Sequence, residues 1–268
     1  MKNYVISLTG SHERRQHICD EFGKQGIAFE FFDAVTPSQV PLLAKQFGLD
    51  IQGVNLTAGE LACLLSHLSL WQYCIDNHLE HIAIFEDDIY LGKNAAQLLT
   101  QDNWLDAAMD VVKLEFFNPQ VRMQKQRLPV HGGRALRKLQ QCHVGAAGYI
   151  LSRQACRDLL AIAKTRQPIP VDHILFESAL DKLNVYQLTP ALCVQSDRTS
   201  LLPNKQHFQI YTSNLEQDRR ARFNQQAALV QSTKPKPTPI YKIRRELMRV
   251  LQQILNIKSK ISHRVGFR

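Results

Sequence analysis

Apolar residues recur through the first 200 positions in short runs whose spacing alternates between the period of a strand and that of a helix. Residues 4–8, YVISL, predict a first strand, followed by a polar loop over residues 9–12 and a charged helix start at Glu13, Arg14 and Arg15. Ile18, Cys19 and Phe22 give that helix an apolar stripe, Gly26 closes it, and residues 28–33 resume as a strand ending in Asp33. Residues 38–55 have no clear period and are expected to drape over the sheet. Thr57 and Glu60 then stand at capping-box spacing ahead of a long apolar helix reaching Ile75, interrupted by Ser66 and His67. Ile82, Ile84 and Phe85 predict a central strand. Later strands are expected at residues 111–117 and 142–152. Helices should follow over RQACRDLLAIA and ILFESAL, and an edge strand and turn over residues 185–195. Residues 118–137 are polar and basic and read as a mobile loop.

This order predicts an α/β fold that opens with a βαβ unit, so ligands belong at the carboxyl ends of the strands. No GxGxxG follows the first strand, which argues against a dinucleotide fold. At the end of the central strand stand three consecutive acids, Glu86, Asp87 and Asp88. Half-buried carboxylates in a row repel one another unless a cation or donor groups hold them. A hard divalent ion shared with a diphosphate is one resolution, and a solvated acidic turn is the other. Ser7 and Leu8 border the first loop, where a nucleotide would sit, with Arg14 and Arg15 within reach of a phosphate or base. Small residues at Gly145 and Ala146 let a ligand approach the backbone, or else serve close strand–helix packing. Asp172 follows a turn stiffened by Pro168 and Pro170, a position suited to a general base or to a helix cap. His67, His173, Glu177 and Asp197 are second-rank candidates.

Composition changes this picture in two places. The chain of 268 residues has a net charge of +9, yet from Lys234 onward there are ten lysines and arginines against Glu246 alone, so residues 1–233 are neutral. We expect a catalytic domain over 1–233 and a Pro/Lys linker with a basic amphipathic helix over 234–268. Ile243, Leu247, Val250, Leu251, Ile254 and Ile257 form the apolar face of that helix. An anionic membrane surface is the expected partner, packing on protein the close alternative and nucleic acid a distant third, because few aromatics are present to stack on bases. The six cysteines form no CxxC pair and no zinc-ligand spacing, and read as small core residues of a reducing compartment. With no signal peptide and no apolar run of transmembrane length, the chain is expected in the cytoplasm.

Taken together, YVISL, HERR, FEFFDAVTP, LTAGELACLLSHLSLWQ and HIAIFEDDIYL resemble glycosyltransferase family 25, the bacterial lipopolysaccharide and lipooligosaccharide sugar transferases. The likeness runs from residue 1 to about residue 200 and includes the GYILSR passage after Ala147. It implies a GT-A-like nucleotide-sugar fold with a mixed, mostly parallel central sheet. The implied activity is inverting hexosyl transfer from a UDP-sugar, galactose favoured and glucose next, to a lipopolysaccharide core oligosaccharide. Mn²⁺ or Mg²⁺ would be held by Asp88 and Glu86, with Asp87 orienting the site and Ser7, Leu8, Arg14, Arg15, Glu86, Asp87, Gly145 and Ala146 near the donor. Asp172 would be the base. The enzyme would work on the cytoplasmic face of the inner membrane, and a homo-oligomer stays open. Rival readings are a divalent-metal phosphoesterase or phosphotransferase, which lacks a DxDxT after the first strand, and a non-catalytic sugar-nucleotide or membrane-binding module.

Overall fold

β1, Lys2–Ser7, is an apolar strand buried from Asn3 onward, and α1, His12–Gly23, returns across the sheet to a parallel neighbour, β2, Glu30–Asp33. The computed structural model describes residues 1–202, 208–211 and 262–268. The region expected to drape contains α2, Val40–Phe47, with Pro41 in the first turn, where no backbone N–H is needed, and left-handed Gly48 at its end. α3, Ala58–Asp76, begins with the expected capping box: the Glu60 N–H donates to Thr57 Oγ1 at 3.1 Å and the Thr57 N–H to Glu60 Oε2 at 2.9 Å. β3, His81–Glu86, β4, Ile89–Leu91, and the short α4, Ala96–Leu99, follow.

The strand expected over residues 111–117 divides at Leu114 into β5, Val111–Lys113, and β6, Glu115–Phe116, which join different sheets. The expected mobile loop of residues 118–137 is instead built of β7, Gln120–Arg122, β8, Leu128–Val130, and the start of β9, Arg134–Lys138. β8 and β9 form a local hairpin, but β7 pairs with a strand near residue 263 and β9 with one near residue 187, partners that local composition does not reveal. β10, Gly148–Ser152, leads into α5, Arg153–Lys164, whose first turn is capped by Ser152. α6, Val171–His173, runs into one π-helical turn over Ile174–Ser178. β11, Val185–Thr189, is an interior strand rather than the expected edge, β12, Cys193–Gln195, sits in the smaller sheet, and β13 spans Ser262–Arg264.

The main sheet has the order β2-β1-β3-β10-β5-β11-β9-β8. Three of its seven pairings are parallel, so the sheet is mixed but not mostly parallel. β10 enters antiparallel between β3 and β5, and the β8–β9 hairpin extends the far edge. β3, β5 and β11 nonetheless share one direction, which brings Glu86, Lys113 and Thr189 to the same edge. Alternate residues divide between the faces: Tyr4, Ile6, Ile82 and Ile84 pack with α3 and α5, and Val5, Ala83 and Phe85 with α1 and α4.

Residues 262–268 return to this core. The Val265 N–H donates to Pro119 O at 2.9 Å, Ala191 N–H to Gly266 O at 2.6 Å, and Lys93 N–H and Arg134 Nη2 to Arg268 O at 3.0 and 2.6 Å. A side chain at Gly92 would lie 2.1 Å from that Arg268 oxygen. The expected amphipathic helix of residues 243–257 lies outside the described residues. Among those described, no helix is long and apolar enough to cross a membrane.

Candidate active site

Two strand ends and one loop gather the acids. β1 ends at Ser7 beside the end of β3, and the chain turns there through Asp87 and Asp88, both buried, into β4. Both oxygens of Asp87 have protein partners: Ser7 Oγ donates to Oδ2 at 2.7 Å, and Arg14 Nη1, from the first turn of α1, donates to Oδ1 at 2.6 Å. Gln195, the last residue of β12, donates through Nε2 to Glu86 Oε2 at 3.0 Å and to Asp88 Oδ1 at 3.4 Å. Burial and the neighbouring Glu86 push the Asp88 carboxyl well above the usual carboxylate range. Two carboxylates converging on one amide form an all-oxygen donor set of the kind Mn²⁺ and Mg²⁺ prefer, and a cation there would relieve that strain on Asp88.

Behind Glu86 lies a wall built by α3 and β10. Trp71 Nε1 donates to the Tyr149 hydroxyl at 2.9 Å, and His67 Nδ1 lies 2.7 Å from that same oxygen. The other ring nitrogen, His67 Nε2, is 3.8 Å from Glu86 Oε1. Burial pushes His67 down to about 3, so its ring is neutral near pH 7.

The third part of the site is the loop before β10. Gly145 adopts φ +97, where an added Cβ would lie 2.5 Å from the Phe117 ring and 2.7 Å from Glu115 Oε2, so the turn requires glycine. Its N–H donates to Asp172 Oδ2 at 3.1 Å, while the His173 N–H holds Oδ1 at 3.0 Å. Asp172 is therefore fixed by two backbone donors rather than acting as a cap for α6, whose N-cap is Pro170. The same loop is fastened from below by the fully buried pair Lys113 and Glu115. Lys113 Nζ donates to Glu115 Oε2 at 3.0 Å, to Val144 O at 3.1 Å and to Gly145 O, and sits 4.2 Å from the centre of the Phe176 ring. Glu115 also accepts from the Ala147 N–H at 3.1 Å, and Ala147 O in turn accepts from the Glu86 N–H at 3.0 Å. Burial pushes the Glu115 carboxyl up to about 6, with Lys113 opposing.

The sequence candidates thus divide by position. Glu86, Asp87, Asp88, Ser7, Arg14 and His67 meet around the end of β3, with Gly145 and Asp172 held to them through the Ala147 backbone. Ala146 is buried in the same loop. Arg15 instead donates to Ser7 O and Leu8 O at 3.0 and 3.1 Å and pairs with Asp33, clamping the end of β1, and the Leu8 side chain is exposed. His173 Nδ1 lies 2.6 Å from Glu177 Oε2, and this pair groups with Cys142. Asp197 is exposed beside Arg198. Gln195, Lys113, Glu115, Trp71 and Tyr149 were not singled out by the sequence. Alternation along KLE does put Lys113 and Glu115 on one face of an otherwise apolar run, which was the available signal. Among the described residues, two groups bring three potential metal-ligand atoms within 4.8 Å of one another: Cys63, His67 and Glu86, and Cys142, His173 and Glu177.

The model of glycosyltransferase family 25 (LPS biosynthesis protein) matches residues 1–175. The lipooligosaccharide biosynthesis protein lic2B of Haemophilus influenzae is 37% identical over 219 residues, covering 78% of this chain and 82% of that protein. The lacto-N-neotetraose biosynthesis glycosyltransferase LgtB of Neisseria gonorrhoeae is 40% identical over 209 residues, 73% of this chain and 74% of its own. Among solved structures, a glycosyltransferase involved in glycosylation of the major capsid of PBCV-1 aligns over 73% of this chain and 93% of its own, at 8% identity and a TM-score of 0.40.

Proposed function

The chain belongs to glycosyltransferase family 25, and from that premise we propose that it moves a hexose from a UDP-sugar to a lipooligosaccharide or lipopolysaccharide core acceptor, galactose ahead of glucose as the sugar. The names of the relatives support the acceptor class, and the lacto-N-neotetraose relatives support galactose. The observation that carries the chemistry is the division of the acid run: Asp87 is neutralised by Arg14, while Glu86 and Asp88 converge on Gln195. A divalent cation held by Glu86 and Asp88 would stabilise the diphosphate as it leaves.

In this reading Asp172, oriented by the Gly145 and His173 N–H groups, takes the proton of the acceptor hydroxyl. The acceptor oxygen bonds to the anomeric carbon from the face opposite the diphosphate, the bond to the phosphate oxygen breaks, and UDP departs with inverted configuration at the sugar. Ser7 and Arg14 hold the carboxylate run in register, and the glycine loop lets the sugar approach the backbone. The basic segment beyond Lys234 would bring the enzyme to an anionic membrane surface on the cytoplasmic side, where its acceptor is assembled.

The deciding experiment measures UDP release from a panel of UDP-hexoses with Mn²⁺, with and without chelator, and with a core-oligosaccharide acceptor. Metal-dependent release that prefers one sugar and rises with acceptor is the expected result. Release of inorganic phosphate instead, or none from any donor, would overturn it.

A further inference from the structure

Cys63 and His67 stand one turn apart on α3, so their side chains share a face, and that face meets the end of β3 at Glu86. The Cys63 sulfur, a His67 ring nitrogen and a Glu86 carboxylate oxygen all lie within 4.8 Å of one another. His67 is fully buried, and its Nε2 has no hydrogen-bond partner. An orphaned buried nitrogen destabilises the fold, so a native structure keeps one only for a reason. Glu86 Oε1, at 3.8 Å, is too far to satisfy it directly. That separation suits two ligands of one ion: metal bonds of about 2.0–2.3 Å in tetrahedral geometry put ligand atoms roughly 3.3–3.8 Å apart. The ring is also supported as a metal-bound imidazole is. Tyr149 Oη has two lone pairs, enough to accept from Trp71 Nε1 and from a protonated His67 Nδ1, which leaves Nε2 bare and aimed at Glu86.

We propose that Cys63, His67 and Glu86 form a binding site for a borderline transition-metal cation of the Zn²⁺ type. The sulfur–nitrogen–oxygen set differs in preference from the all-oxygen pair Glu86 and Asp88, which selects Mn²⁺ or Mg²⁺. Because Glu86 is common to both, zinc occupancy withdraws one carboxylate from the hard-metal site. Zn²⁺ is therefore an inhibitor that rising Mn²⁺ relieves.

The full-length protein, freed of metal by chelator and desalted, is titrated with Co²⁺ and followed by absorption, and zinc retained after gel filtration is measured by elemental analysis. Expected are visible bands of tetrahedral Co²⁺, a near-ultraviolet thiolate-to-cobalt band, and one retained zinc per chain. Cys63→Ser should abolish the near-ultraviolet band and weaken zinc binding at least tenfold, whereas Asp88→Asn should leave both intact. In UDP release, Cys63→Ser should keep Mn²⁺-dependent turnover and lose the inhibition by zinc. Absence of the cobalt bands, or a spectrum unchanged in Cys63→Ser, overturns the proposal and leaves a water between His67 and Glu86. Metal loading is read without substrate, so this outcome is separate from that of the transferase reading.

Discussion

The Arg14 guanidinium lies 2.6 Å from the Asp87 carboxylate, and this contact divides three adjacent acids into one paired with an arginine and two that converge on the Gln195 amide. Substitutions along the run should therefore have different consequences. With Asp88 as the proposed cation ligand, Asp88→Ala should remove several kcal/mol of leaving-group stabilisation, so turnover should fall by at least about 100-fold while the protein stays folded. Asp87→Ala leaves Arg14 without its acid and should cost about 1–3 kcal/mol of stability in urea denaturation, with a smaller loss of turnover. Mn²⁺-dependent activity retained in Asp88→Ala would refute the assignment.

Asp172→Asn keeps an oxygen for the Gly145 N–H but cannot take a proton. Its kcat should drop by roughly 100- to 10,000-fold while the donor KM changes little. An unchanged kcat would move the base elsewhere.

Gly145→Ala tests the loop itself. A Cβ at φ +97, within 2.7 Å of both Phe117 and Glu115, combines backbone strain with overpacking, and should cost about 2–5 kcal/mol. Thermal denaturation measures the loss, and turnover should fall with it because the Gly145 N–H orients Asp172.

Stability should depend on pH through His143. Its Nδ1 donates to Gln187 Oε1 at 3.0 Å and its Nε2 accepts from the Asn118 N–H at 3.3 Å, and burial pushes it from 6.5 down to about 3. A histidine held neutral by the fold contributes stability above its unfolded pKa, and that stability is lost as pH falls from 6.5 toward 3. Urea midpoints measured across this window should fall less steeply in His143→Gln than in the parent; parallel curves would contradict the assignment.

The basic tail offers a fifth test, one that spares the described segment 262–268. Replacing Arg244, Arg245 and Arg249 with Glu should reduce co-sedimentation with anionic liposomes by well over tenfold, at about 1 kcal/mol per basic residue. Equal sedimentation would favour packing on protein.

Much of this architecture was legible because its signals are local. The Thr57–Glu60 box, the α3 stripe and the apolar run of β3 each declare themselves within a few residues, and they put the acids at a strand end. What escaped depends on partners far along the chain. β10 runs antiparallel to β3 because of where the chain re-enters the sheet, and β7 to β9 pair across a stretch whose composition is that of a loop. Lys113 and Glu115 resemble an ordinary solvated pair on a strand until the change of sheets at Leu114 buries both. Cys63 and His67 lie at i, i+4, yet only the third ligand atom, from Glu86, marks them out from core residues.

The return of residues 262–268 to Pro119, Ala191 and Lys93 has a consequence in time. While the chain is being synthesised, β1 to β12 can pair as soon as they leave the ribosome, and Arg122 O of β7 meets the Gln140 N–H, but the edge of β7 that takes β13 stays open until residues 262–264 have been made. Until then the nascent protein exposes an open strand edge, and shielding that edge falls to whatever chaperone meets the growing chain.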